Sequence, residues 1–498
     1  MKISQKGGGI ALNYSMLASN VLVKFLYTPF LLKELGASEY GLYTLVFTIV
    51  GYVSILDLGF GSALTRYIVK YKTEKSRKEL LDLYGTATGV YLVVGIIALV
   101  VCSLIGFFSG AIFGDSLNTV EINKLRIMLV ICGLNLLFCF PLQIATSVLV
   151  ANEEFIFKNF LSLVRVLLEP VVMIVLLYAV HIKSLGVVIV ITSFNIILYF
   201  SYYLFAKHKL GFVFALTNFK RNLIPPLLSF SFGMFMLTIY EQLQFHSGQF
   251  VLAAYEGTVA VAIWGVSMLF VYNFRLVSTT ISNVYLPSFI ESVTSKSAQN
   301  GILPIIKEMT NLQFLVLSVT FLNFFLFGKE FLLLWAGEEY VDVYNISLIM
   351  ITPMFLGLLL EFCYMWQIAT GKLSYRIYTL FISFIFSFCF VYLIWGINLV
   401  SFSYIVSLSY FSGQVLFVIV YIKRYVSINF LNLFLYLLNR YKFLLLFMCV
   451  LIIAKLSFQY KELSLLSFVL SVVFVNLIIG IIVLTKHKQI MIKKLSNK

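Results

Sequence analysis

Lys24 lies on a helical stripe with Asn13, Asn20 and Tyr27. At about 100° per residue, those spacings put all four side chains on one narrow face. Arg275 holds a similar place on a second stripe, with Tyr272, Thr279 and Ser282. Between them in the sequence, Gln242, His246 and Gln249 share one face of a further segment, while Glu241 and Gln244 point towards another. Cations and amides of this kind hold an anionic, hydroxyl-rich solute by charge and donated hydrogen bonds. The segment "FGKEFLLLWAGEEYVDVYN" has acids but no partnered catalytic constellation. The chemistry on offer is binding, and the chain is expected not to be an enzyme.

The acids suggest a second role. Asp57 in "LDLGFG", Glu241 and Glu361 are candidates for ion coupling, by H+ or Na+, or for pairing with Lys24 and Arg275; no other cofactor or metal is expected. Glu169, one turn from Arg165, reads as half of an internal ion pair. Plainer readings stand beside each. Lys24 can snorkel to an interface, the glutamines can bond helix to helix, and His246 can be a hydrogen-bonded core residue.

Composition dictates the elements that must position these residues. The 498 residues are 61% hydrophobic and only 11% charged, with a mean hydropathy of +1.00, far above what a soluble core needs. Apolar runs of about 20 residues, rather than alternating segments of about ten, require spanning helices and exclude a β-barrel. The expected fold is all-α and polytopic, with fourteen spans near 9–32, 43–65, 86–108, 126–150, 159–180, 185–206, 227–254, 258–286, 309–328, 346–369, 376–396, 399–422, 441–456 and 464–485. The first run is too long for a signal sequence and is expected to be retained. All six cysteines fall inside spans, which argues against disulfides. At membrane depth an ionisable side chain is expensive unless it meets a partner or a water-filled path. Arg275 lies about 25 Å along its helix from residue 258, too far for easy snorkelling.

Basic residues set the orientation. With the N-terminus inside, alternate segments carry 26 of the 36 Lys and Arg, the opposite loops seven, and the spans three, Lys24, Arg165 and Arg275. Both termini are therefore expected to be cytoplasmic. The net charge of +15 reads as topology and contact with anionic membrane lipids, not nucleic-acid binding.

The stretch "KELGASEYGLYTL" is then the outward hairpin between spans one and two, with Gly36 and Gly41 permitting the reversal. "GASEYGLY", Gly36 to Tyr43, aligns with "GTVAVAIW", Gly257 to Trp264, at an offset of 221 residues. This implies a parallel duplication: a six-helix lobe over 1–222, a second over 223–425, and two added helices with a basic tail over 426–498. Parallel repeats around a midplane site are a transporter architecture. Lys24 and Arg275 are expected to face a common cavity between the halves.

"LLKELGASEYGLYTLVFTIVGYVSILDLGFGSALTRYI", Leu31 to Ile68, resembles the N-terminal signature of polysaccharide-biosynthesis membrane proteins. These are the Wzx-type flippases of the multidrug/oligosaccharidyl-lipid/polysaccharide superfamily. The resemblance implies two six-helix lobes and an undecaprenyl-pyrophosphate-linked oligosaccharide moved across the cytoplasmic (inner) membrane for O-antigen or capsule synthesis. It further implies a polysaccharide polymerase and chain-length machinery as partners. The family has no fixed catalytic motif to carry over. Two rivals remain: an organic-cation antiporter of the same superfamily, whose cavity should be acidic, and a membrane-embedded polymerase or ligase, which the short outer segments disfavour.

Overall fold

In the computed structural model, residues 5–57, 59–180, 183–294, 298–370, 374–422, 430–457 and 465–496 are described. Their regular structure is entirely helical, as lipid demands of a backbone that must satisfy its own hydrogen bonds. By packing, the chain divides into two compact units, Met1–Gly265 and Val266–Lys498. That is a division of contacts, whereas the boundaries at 222 and 425 come from an expected repeat in sequence.

The first unit begins with α1 (Gln5–Ser54), which runs through the places expected for spans one and two. Two helices meet there at Gly36, whose φ of 76° and ψ of 168° only glycine adopts readily. Gly41 has a different role from the one its sequence suggested. It stays helical, and a Cβ built on it would lie 1.8 Å from the carbonyl oxygen of Thr258. Its missing side chain serves close approach, not reversal. The span expected to end at residue 65 is interrupted: a single 3-10 turn, Ile55–Asp57, and a left-handed Gly59 (φ 70°) precede α2 (Phe60–Thr73).

Beyond it come α3 (Arg77–Phe107), α4 (Ser109–Phe113), α5 (Thr119–Ala151), α6 (Phe155–Val180), α7 (Ser184–Leu210) and α8 (Ile224–Tyr255). α3 and α5 pack through glycine: a Cβ on Gly95 would sit 3.1 Å from Leu137 Cα, and one on Gly133 3.2 Å from Leu99 Cα. With little hydrophobic force between helices in lipid, such close approach is what dispersion requires. α9 (Thr258–Thr294) starts in the first unit and continues in the second.

The second unit continues with α10 (Ala298–Ala336), α11 (Asp342–Leu359), α12 (Glu361–Thr370), α13 (Ser374–Trp395), α14 (Leu399–Tyr410), α15 (Phe417–Tyr421), α16 (Phe430–Arg440), α17 (Lys442–Ser457) and α18 (Leu465–Ser496). A π-helical turn, Phe411–Leu416, joins α14 to α15. The single span expected over 346–369 is broken at Leu360, between α11 and α12. α10 and α18 are joined by a reciprocal amide pair, Asn323 and Asn476, at 3.0 and 2.8 Å. Lys455, counted by sequence among the outer loops, is helical and folds back on α10. It donates to the Phe325 carbonyl at 3.1 Å and lies 3.4 Å from Glu330 Oε2.

Among the described residues, ten segments are long and apolar enough to cross a membrane. Leu431–Arg440 with Lys442–Ile453, bent by 76°, makes an eleventh. The expected fourteen are not all met by this measure. Spans one and two fall in one helical run, and the last counts only as a shorter apolar helix, Ser467–Ile482. Helices also outrun the apolar windows that revealed them. α10 continues through Lys329 and Glu330, because a helix persists into the headgroup region where charge is tolerated.

Candidate substrate and coupling site

In the first unit, Asn20 and Tyr27 are half-buried and Lys24 is exposed. The side chain of Asn13, fourth member of that stripe, lies outside the described residues. On α8 the five polar side chains separate. Gln244 is fully buried and accepts a 3.0 Å hydrogen bond from Tyr240 Oη, so it reads as structural. Gln249 is 5% exposed, Gln242 and His246 are half-buried, and Glu241 is exposed. The Oε1 atoms of both Gln242 and Gln249 are buried with no hydrogen-bond partner. An enclosed amide oxygen without a donor is costly. α8 is placed against α1 by Gly51, whose open side faces Gln242 Oε1 at 3.7 Å, and by Tyr52, whose hydroxyl donates to the Gln242 carbonyl at 3.0 Å. α8 and α9 meet where Gly248 makes room for the buried Trp264 ring; a Cβ there would lie 2.2 Å from it.

Asp57 ends the 3-10 turn and accepts a 2.6 Å hydrogen bond from Tyr91 Oη. Tyr91 is 1% exposed, edge-on to Phe60 at 5.3 Å and stacked on Phe140 at 6.1 Å. Packing thus fixes the hydroxyl that faces the carboxylate. Ser147 Oγ donates to Gly61 O at 3.0 Å, securing the restart of helix after the break. Arg165 Nε donates to Glu169 Oε2 at 2.8 Å, so this pair is the internal ion pair that its spacing indicated.

In the second unit, Tyr272, Arg275 and Thr279 are half-buried, but Ser282 leaves their company. It is 5% exposed and, with the fully buried Ser278, takes a 2.9 Å hydrogen bond from Gln313 Nε2 on α10. The stripe on α9 is therefore shared between a helix–helix bond and the three residues nearer Arg275. Glu361 is half-buried and opens α12 directly after the break at Leu360. Gly357, one turn before, admits the Tyr410 ring, 2.4 Å from where its Cβ would be. Sequence reasoning missed Tyr91 and Gln313, since each is matched to its partner only by folding.

A family model described as "Polysaccharide biosynthesis protein" matches residues 8–293, more than half of the chain. The chain belongs to this family. The signature at Leu31–Ile68, the break at Asp57, the α8 amides and Arg275 all fall in the matched region. A Shigella flexneri protein named "Putative O-antigen transporter" is 22% identical over 339 residues, 66% of this chain and 77% of its own. Among solved structures, the lipid II flippase MurJ in an inward closed conformation superposes with a TM-score of 0.70 at 16% identity, covering 95% of this chain and 98% of MurJ. An inward-facing multidrug resistance transporter of the MATE family gives 0.61 at 12% identity, over 82% and 94%. Both likenesses concern the fold. This family member is thus a multi-pass membrane protein built on the fold shared by MurJ and MATE proteins.

Proposed function

We propose that the protein is a flippase for an undecaprenyl-pyrophosphate-linked oligosaccharide. It carries the sugar head from the inner to the outer leaflet of the cytoplasmic membrane by alternating access, with both termini cytoplasmic. The observation that carries this reading is the set of donors within helices long and apolar enough to cross a membrane, in a polysaccharide-biosynthesis protein: Lys24 beside Asn20 on α1, and Arg275 beside Tyr272 on α9. A charged, hydroxyl-rich head cannot cross about 30 Å of hydrocarbon unaided. Fixed cations replace part of its water, and the planar guanidinium of Arg275 suits paired phosphate oxygens. The unpartnered amide oxygens of Gln242 and Gln249 suit sugar hydroxyls, which donate as well as accept, and His246 adds a third group on α8. The polyprenyl tail stays in lipid. Asp57 and Glu361, each beside a helix break, and Glu241, exposed on α8, are proposed to couple the cycle to H+ or Na+. A polymerase and its chain-length machinery take the product.

Glu241, exposed beside these amides, favours one competing reading, export of organic cations. Purified protein in liposomes separates the two. The flippase reading expects a fluorescent polyprenyl-pyrophosphate oligosaccharide to become accessible on the opposite leaflet, with no gradient-driven efflux of an organic cation. Cation efflux without sugar-lipid movement would overturn it.

A further inference from the structure

At the end of the first unit that the sequence reading places outside, two carboxylates gather donors from four helices. Glu121, in the first turn of α5, accepts through one oxygen, Oε1, from Ser38 Oγ at 2.5 Å and from Thr258 Oγ1 at 2.9 Å. Its other oxygen accepts the Asn118 N–H at 2.9 Å, and the Asn118 side chain accepts the Glu121 N–H at 2.9 Å. This capping box fixes the carboxylate. One turn on, Lys124 pairs with Glu39, which also accepts from the hydroxyl and the N–H of Ser184 at the start of α7. Ser38 and Glu39 follow the bend at Gly36, and Thr258 follows Gly257, which has a φ of 83°. Beneath the carboxylates Gly41 meets the backbone of Thr258, and Gly265 receives the side chain of Thr44.

We propose that Glu121, backed by Glu39, is a releasable clasp that holds the turn at Gly36 against the start of α9 and opens during transport. The clasp rests on the transporter reading but on no particular substrate. A permanent joint between helices is dry and interdigitated. This one turns on the carboxylates of Glu121 and Glu39, which are only half-buried and within reach of water, while two of their donors, Thr258 and Ser184, are buried. Below it Gly41 lies on the Thr258 backbone and Gly265 on the one short side chain of Thr44, so there is little interdigitation to undo when they separate.

The test is hydrogen–deuterium exchange of the full-length protein in nanodiscs, read on peptides covering residues 37–48 and 258–268. E121A removes the shared acceptor, and S38A/T258A removes the two donors while leaving the capping box in place. Both should speed exchange in both peptides by about tenfold, the effect of losing a charge-assisted hydrogen bond. A cysteine-free version carrying S38C/T258C, joined by a short thiol crosslinker, should exchange more slowly than the same protein before crosslinking. Unchanged exchange on crosslinking would mean a static joint, and unchanged exchange in both alanine variants would mean that the carboxylate holds nothing; either overturns the proposal. No sugar substrate enters this measurement, so it stands or falls separately from the proposed cargo.

Discussion

Thr44 and Gly265 are 221 residues apart, the offset that relates the glycine turns at Gly36 and Gly257, and they touch: a Cβ on Gly265 would lie 3.2 Å from Thr44 Cγ2. The turns that sequence aligned are therefore also packed together, each entering its helix through a left-handed glycine.

The tightest point of that contact is Gly41. Gly41→Val places a branched side chain where Thr258 O already stands, 1.8 Å from the Cβ position, and backbone cannot swing aside. The expected cost is about 1–3 kcal/mol, seen as a lower apparent melting temperature in detergent. Gly51→Ala is the control. Its nearest neighbour is Gln242 Oε1 at 3.7 Å, so its melting temperature should match the parent. Equal behaviour of the two variants would contradict the packing described.

The Asp57–Tyr91 hydrogen bond gives a second expectation. Tyr91→Phe removes the donor from a half-buried carboxylate and should destabilise the protein by about 1–3 kcal/mol. Asp57→Asn in the same chain should recover part of the loss, because an amide no longer carries charge. A thermal-stability cycle over the two single variants and the double variant reads the coupling. Strict additivity would show that the two side chains act independently.

Gln313 separates structural from transport roles. Its Nε2 serves Ser278 and Ser282, yet its Oε1 is buried without a partner. Ser282 Oγ also donates to the Ser278 carbonyl at 3.2 Å. Gln313→Leu should therefore change stability by less than about 1 kcal/mol, because one orphaned acceptor disappears with the lost bonds. Gln313→Ala leaves a cavity and should cost about 2 kcal/mol or more. Transport should follow stability in both. Loss of transport by a stable Gln313→Leu protein would place this residue in the substrate path.

Much of the fold was legible because lipid leaves a chain few options: apolar runs gave the helices, and left-handed turns fell at Gly36 and Gly257. The number of crossings was less legible. The break before Phe60 falls at Asp57 and Gly59 and the one at Leu360 just before Glu361, and one acid within an apolar run marks a polar position without telling hydropathy that the helix breaks there. Partnerships were the least visible. Tyr91 finds Asp57 across 34 residues, and Thr258 finds Glu121 across 137. Nothing local distinguishes such a tyrosine from a lipid-facing one. The capping box at Asn118 and Glu121 is local, a spacing of three in "NTVE", but such a box marks a helix start and says nothing of Ser38 or Thr258.

The central claim is that fixed cations carry a pyrophosphate-linked sugar head, and Arg275 tests it most directly. Arg275→Gln, expressed at parental level, should cut the outer-leaflet appearance of labelled lipid-linked oligosaccharide by about tenfold or more. Arg275→Lys should recover only part, because an ammonium keeps the charge but loses the paired donors. The measurement is the rate at which labelled oligosaccharide becomes accessible to an impermeant probe at the cell surface. Parental rates in Arg275→Gln would contradict the account.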